Sequence, residues 1–226
     1  MSDAIAHPPS RYAAQRKVSV RALQNLNRFF VRAYHQLEVI SPCRLPASGP
    51  AIIACNHTSG IDPLFIQSCS PRLITWMMAA EFMDLPVLSG MFKTIGIIPV
   101  ARSGRDMAAT RAAMRALHEG QILGIFPEGK IESGSELLPF QSGVALMAMK
   151  TGVPVYPAYL DGSQRGLSML TGFLQAQRAV IAFGMAVEFD RSDPGREGQE
   201  RATAAIRGAV ETLRRQAAHS QFGRLV

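Results

Sequence analysis

The run Asn56-His57-Thr58-Ser59-Gly60-Ile61-Asp62 sets an imidazole and a carboxylate five residues apart with a Ser-Gly pair between them. If the chain reverses at Ser59-Gly60, Asp62 reaches one ring nitrogen of His57, fixes its tautomer and raises the basicity of the other nitrogen. That pair could serve as a general base. The same residues could also do no more than cap a turn and a helix start. A second polar run, Phe126-Pro127-Glu128-Gly129-Lys130, sets a carboxylate beside a glycine whose backbone can approach a ligand closely, followed by a cation suited to phosphate. A third run, 96–105, puts Arg102 and Arg105 just ahead of a helical pattern, where guanidinium forks and free helix N–H groups favour an anion. No metal is implied. His57 and Asp62 would need two further ligands, and His35, His118 and His219 stand at no spacing that supplies them.

Each of these runs leaves an apolar segment of strand length. Strands are predicted over 51–55, 73–79, 96–100, 121–126, 154–160 and 179–189, and several are apolar throughout, as strands covered on both faces should be. Between them, helices are expected over 103–117, with Ser103 as N-cap, Asp106 three residues on and Gly120 past the end, and over 142–150. A last helix over 196–216 places Ile206, Val210 and Leu213 on one face. The alternation predicts an α/β fold with a mixed, largely parallel sheet flanked by helices, and chemistry in the loops leaving the carboxyl ends of strands. Ahead of the sheet, residues 1–10 read as a disordered leader and 11–40 as an amphipathic basic helix. Leu23, Leu26, Phe30, Tyr34 and Leu37 recur there at three and four, accompanied by Arg16, Lys17, Arg21, Arg28 and Arg32. Such a stripe either packs on the core or lies in a membrane interface.

At 226 residues, 47% apolar, the chain can bury a full core as one domain, expected over 41–226, without disulfide or metal staples. The net charge is +7, and the first forty residues hold six Arg or Lys against two acids, which points to a polyanionic partner. A nucleic acid is disfavoured, because no recognition motif or aromatic platform accompanies the charge. Three cysteines, Cys43, Cys55 and Cys69, without paired spacing suit a reducing compartment. No signal peptide and no apolar run of about 18 residues is present, so a cytoplasmic chain is expected.

Four segments in a fixed order resemble the glycerolipid acyltransferases, specifically the lysophosphatidate (1-acylglycerol-3-phosphate) acyltransferase family. Asn56 to Asp62 resembles the Asn-His-x-x-x-x-Asp block, and Gly96-Ile97-Ile98-Pro99-Val100-Ala101-Arg102 resembles the second block. Phe126-Pro127-Glu128-Gly129 is similar to the third and Val153-Pro154-Val155-Tyr156-Pro157 to the fourth, with Glu81-Phe82, Leu85-Pro86 and Gly90 between the first two. The resemblance covers about residues 37–190 and implies a glycerol-3-phosphate acyltransferase-like fold. It implies that His57, oriented by Asp62, deprotonates an acceptor hydroxyl, which attacks the thioester of acyl-CoA or an acyl-carrier protein directly. Arg102 and Lys130 would hold the acceptor's phosphate, Glu128 and Gly129 would line its pocket, and Asn56 and Pro127 would complete the substrate-binding set. No cofactor is implied, since the acyl thioester is a co-substrate. The implied partners are a lysophospholipid, the acyl donor and an anionic membrane surface, with the chain peripheral on the inner face of the cell membrane and the basic helix bringing the site to the bilayer. An acyl groove is expected along 76–92. The third block departs from the family's usual Thr-Arg-Ser: Lys130-Ile131-Glu132-Ser133 follows Gly129, Ala80 precedes Glu81, and Gln141 follows Phe140. Either Lys130 takes the phosphate contact, or the head group differs, as in another lysophospholipid or a lyso-ornithine lipid. A protein that binds lipid or acyl carrier without turnover is the other class.

Overall fold

A computed structural model describes residues 18–81, 96–101, 106–132, 134, 136–163 and 169–222. Seven strands form one sheet: β1 (Glu38–Val39), β2 (Ala51–Cys55), β3 (Ile74–Ala79), β4 (Ile98–Val100), β5 (Ile122–Ile125), β6 (Val155–Asp161) and β7 (Val180–Phe183). Their order is β1-β7-β6-β2-β5-β3-β4, and every pair is parallel except β6 with β7. The mixed, largely parallel sheet expected from the sequence is therefore present. The connection leaving β2 runs toward β3, and the one leaving β5 runs the other way, toward β6. The loops after β2 and β5 therefore meet where the winding reverses, the usual place for a site in such a sheet.

The strand β2, Ala-Ile-Ile-Ala-Cys, is wholly buried because β5 and β6 flank it and helices cover both faces. Its side chains alternate between two cores. Ile53 and Cys55 join Ile74, Trp76, Phe65 and Ile181 on one face. Ile52 and Ala54 join Leu123, Val155, Leu117, Val144, Met147 and Ile206 on the other. The first face is covered by α1 (Val18–Ala33) and α2 (Asp62–Cys69), the second by α3 (Met107–His118), α4 (Gly143–Thr151) and α6 (Arg196–Phe222). The short α5 (Met169–Leu174) lies beside α1, where Tyr34 Oη donates to the Leu174 carbonyl at 2.7 Å.

Several boundaries differ from expectation. The basic helix ends at Ala33; Gln36 takes a positive φ of 47° and 38–39 pairs as a strand with β7, so Leu37 is not helical. The expected stripe divides between two environments: Phe30 and Leu37 pack against the core beside buried Val20 and Val31, whereas Leu23 and Leu26, with Phe29 next to them, are 40%, 63% and 71% exposed. The face turned to α2 is fixed by polar contacts that a hydrophobic pattern does not register. Asn27 Nδ2 donates to the Leu64 carbonyl at 3.0 Å, and Arg28 donates to the carbonyls of Ser68 and Ser70 at the C-terminal end of α2. The leader and residues 11–17 lie outside the described residues. So does Ser103, and α3 is capped instead by Asp106, whose side chain accepts from Ala109 N at 2.8 Å and from Ala101 N at 2.8 Å. Gly120 closes α3 with φ +77°, as expected. The last strand stops at Phe183; Gly184 turns the chain so that Val187 N donates to the Val155 carbonyl. Ile206, Val210 and Leu213 are buried, as their spacing predicts.

Candidate active site

The loop after β2 closes on itself at Ser59, whose carbonyl accepts from Asp62 N at 3.1 Å. This turn brings the Asp62 carboxylate, fully buried at the start of α2, to His57: Nδ1 and Oδ2 are 2.9 Å apart. Oδ2 also accepts from Thr58 N at 2.6 Å and Ser59 N at 2.9 Å, and the Thr58 hydroxyl lies 3.4 Å from both oxygens. Backbone donors thus orient the carboxylate, and its contact with the ring makes Nδ1 the donor and leaves Nε2 as the acceptor. The face of the His57 ring is packed as well. Phe126 stacks on it with centroids 4.0 Å apart, and Trp76 stacks on Phe126 at 5.1 Å. The indole lies flat across β5 because Gly124 has no side chain; a Cβ there would stand 2.5 Å from Trp76 Cζ3.

Glu128 sits opposite, in the turn after β5. Its carboxylate faces His57 N at 3.4 Å, and the Glu132 N–H closes the contact between the two loops by donating to the His57 carbonyl at 2.8 Å. Burial pushes the Glu128 carboxyl up to about 7, against the opposing pull of the His57 and Leu138 N–H groups. The segment that buries it is itself anchored: Arg207 of α6 donates to the carbonyls of Leu137 and Leu138, and Gln141 N donates to the Pro127 carbonyl. Gly129 has φ +72°, and a Cβ there would collide with the Gln141 amide. Lys130 is exposed at the same loop.

The structure brings His57, Asp62, Glu128, Gly129 and Pro127 to one place. Asn56 is adjacent, yet both ends of its amide serve the backbone of Leu160: Nδ2 donates to the carbonyl at 2.8 Å and Oδ1 accepts from the N–H at 2.9 Å. Its visible role is to clamp the His57 loop to β6. Arg102 lies outside the described residues, as do Arg105 and Phe82, Leu85, Pro86 and Gly90. The fourth block forms β6, and its register beside β2 (Ile52 with Val155, Cys55 with Ala158) supports the loop from below. His35 is buried against Phe30, Tyr34 and Phe65, where burial pushes its pKa down. Among the described residues no group of three His, Cys, Asp or Glu could hold a metal.

Sequence reasoning did not find Thr58, Ser163 or the Phe126–Trp76 stack. Thr58 and Ser163 are 105 residues apart, so no local signal joins them, although Trp76 was visible within one expected strand and Phe126 at the end of another. An apolar cavity of about 400 Å³ opens beside the site. Trp76 and Met78 of the expected 76–92 stretch do line it, and the part over 82–92 lies outside the described residues. Its other walls are α1 (Val20, Leu23, Phe30) and the start of α2 (Ile61).

Comparison with known proteins agrees with this arrangement. The chain belongs to the acyltransferase family: the family model of that description matches residues 33–161, which carry His57, Asp62 and the Glu128 loop. The 1-acyl-sn-glycerol-3-phosphate acyltransferase of Bacillus subtilis is 28% identical over 131 residues, 58% of this chain and 65% of that protein. The protein of the same name from Borreliella burgdorferi is 32% identical over 119 residues, 51% of this chain and 47% of that one. The chain thus spans about half to two thirds of the length of these relatives. The crystal structure of the 1-acyl-sn-glycerophosphate acyltransferase PlsC from Thermotoga maritima shares the fold, with a TM-score of 0.62 over 89% of this chain and 86% of that one, at 18% identity.

Proposed function

We propose that this protein is an O-acyltransferase that moves a fatty acyl group from acyl-CoA or an acyl-carrier protein to the free hydroxyl of a lysophospholipid. The observation that carries the proposal is the His57–Asp62 pair standing one aromatic layer from an apolar cavity, through Phe126 and Trp76. His57 Nε2 takes the proton of the acceptor hydroxyl as its oxygen attacks the thioester carbonyl. The tetrahedral adduct collapses by breaking the C–S bond, and the imidazolium returns its proton to the leaving thiolate. Ester and thiol are the products. Every atom that moves belongs to a substrate or to His57, so the reaction as proposed uses no cofactor.

The cavity would take an acyl chain: its walls are largely aliphatic and aromatic, and neither Glu128 nor Lys130 lines it. The names of the curated relatives support 1-acylglycerol-3-phosphate as acceptor and phosphatidic acid as product. Lys130 and Arg102 would then meet the phosphate, with Glu128, Gly129, Pro127 and Asn56 shaping the pocket. A second reading has its own support. Glu132 and Glu136 line the polar cleft that holds Glu128, and such acidity favours an acceptor whose head group carries an amine. Exposed Leu23, Leu26 and Phe29 on α1, flanked by Arg21 and Arg32 with no acid on the helix, support docking on an anionic membrane surface. Among the described residues no helix is long and apolar enough to cross a membrane.

Thiol release from oleoyl-CoA, with lysophosphatidate and a panel of other lyso-lipids, tests the proposal against His57→Ala. Release that vanishes in the variant supports it, and the preferred acceptor separates the two head-group readings. Active wild type with an equally active variant removes the base from His57. Silence with both CoA and carrier-protein donors favours a binding protein.

A further inference from the structure

We propose that Ser163 is a positioning residue for the His57–Asp62 pair and acts through the hydroxyl of Thr58. Asp62 is fully buried, and its Oδ2 already takes three N–H groups. Among the described residues the side-chain hydroxyl nearest the carboxylate is that of Thr58, 3.4 Å from both Oδ1 and Oδ2. A hydroxyl has one proton to give. If Thr58 gives it to Asp62, the Thr58 oxygen is left as an acceptor, and the Ser163 hydroxyl is in short hydrogen-bond contact with it. Thr58 and Ser163 are 1% and 3% exposed, so bulk water does not replace either partner. In the arrangement proposed, the donors run from Ser163 to Thr58 to Asp62, and Asp62 accepts from His57 at the far side.

The backbone fixes Ser163 where this chain needs it. Strand β6 lies against β2 and is clamped to the His57 loop by Asn56 at Leu160. It then turns at Gly162, with φ +75°, where a Cβ would collide with the Arg178 carbonyl. That turn sets the Ser163 side chain over Thr58. A neighbouring strand thus holds the carboxylate that holds the base.

Ser163→Ala would leave the Thr58 hydroxyl free to rotate away from Asp62. The carboxylate would lose that contact and be oriented less firmly against the His57 N–H. We expect kcat to fall about tenfold, or ~1.4 kcal/mol at the transition state. KM for both substrates should change less than about twofold, because neither substrate touches Ser163. The His57 ring titration, followed by NMR in the full chain, should differ from that of wild type, which a merely structural role for Ser163 would not require. Ser163→Thr keeps the hydroxyl and should restore both values. Combining Ser163→Ala with Thr58→Val should be no worse than Thr58→Val alone, because the two residues form one path. An unchanged kcat with an unshifted titration, or additive losses in the double variant, would overturn the proposal. If Ser163→Ala does not fold, Ser163→Thr and Ser163→Cys carry the comparison, and equal His57 titrations in those two overturn it. The inference rests on the acyl-transfer reading for its kinetic part only. A wild-type chain without transfer refutes that reading, while the NMR shift still decides this one.

Discussion

Gly124→Ala is a one-carbon change whose cost can be worked from the structure. The strand β5 is held on both sides, with Gly124 opposite Ile53 on β2 and opposite Trp76 on β3. Its backbone cannot retreat without breaking both ladders. An added Cβ would stand 2.5 Å from Trp76 Cζ3 and 2.7 Å from Ile74 Cγ2, well inside van der Waals contact. Ile74 is 1% exposed and has nowhere to go, so the indole must tilt. Overpacking of this kind costs about 2–3 kcal/mol, which for a chain of this size lowers Tm by roughly 5–10 °C. The tilt also spoils the stack that runs from Trp76 through Phe126 to His57, so acyl transfer should fall together with stability. Trp76 is the chain's one tryptophan, so its emission reports the movement directly. Thermal unfolding, emission maximum and transfer rate should all change. A Tm within 1 °C of wild type with an unshifted emission spectrum would refute the claim that close packing at Gly124 sets the indole.

Other outcomes follow from the same geometry. Glu128 has its folded pKa raised to about 7 by burial, so its stabilising contribution is complete below its unfolded pKa, near 4.5, and is lost as pH rises through about 7. Urea unfolding from pH 5 to 8 should therefore show wild type losing stability with rising pH and Glu128→Gln with a flatter profile; equal slopes would count against the raised value. Asn56→Ala strands the N–H and carbonyl of Leu160 in a buried position, which should cost about 2–4 kcal/mol by denaturant unfolding. A loss below 1 kcal/mol would mean that the loop is held otherwise. Leu26→Asp with Phe29→Asp should abolish sedimentation with anionic vesicles while leaving Tm within about 2 °C, since both side chains are largely exposed. Undiminished vesicle binding would move the docking surface elsewhere.

What could be read in advance was local. The strand β2 is visible because five apolar residues in a row suit a strand covered on both faces, and His57 with Asp62 is visible because a Ser-Gly turn joins residues five apart. The sheet follows from strands alternating with helical segments. Long-range placement was hidden. Ser163 reaches Thr58 across 105 residues, and Glu128 owes its raised pKa to burial in a crevice that brings together Asn56, Thr58, Leu137 and Tyr159 from distant parts of the chain. The orientation of α1 was legible only in part, because its apolar residues cover more than one face. Phe30 and Val31 turn to the core while Leu23, Leu26 and Phe29 stay exposed, and the Asn27 and Arg28 contacts to α2 help to set that orientation. Asp106 caps α3 with a carboxylate that serves two N–H groups, those of Ala101 and Ala109, and the first of these lies outside any local capping pattern.

Helix α1 is at once a wall of the apolar cavity and the carrier of the exposed apolar stripe, with Leu23 and Leu26 belonging to both surfaces. A lipid tail leaving a bilayer under this helix would pass from one hydrocarbon environment to another without crossing water. Turnover on such a surface would obey two-dimensional kinetics: the rate would follow the mole fraction of lyso-lipid in the interface, fall when inert lipid dilutes it, and be indifferent to the volume of the surrounding solution.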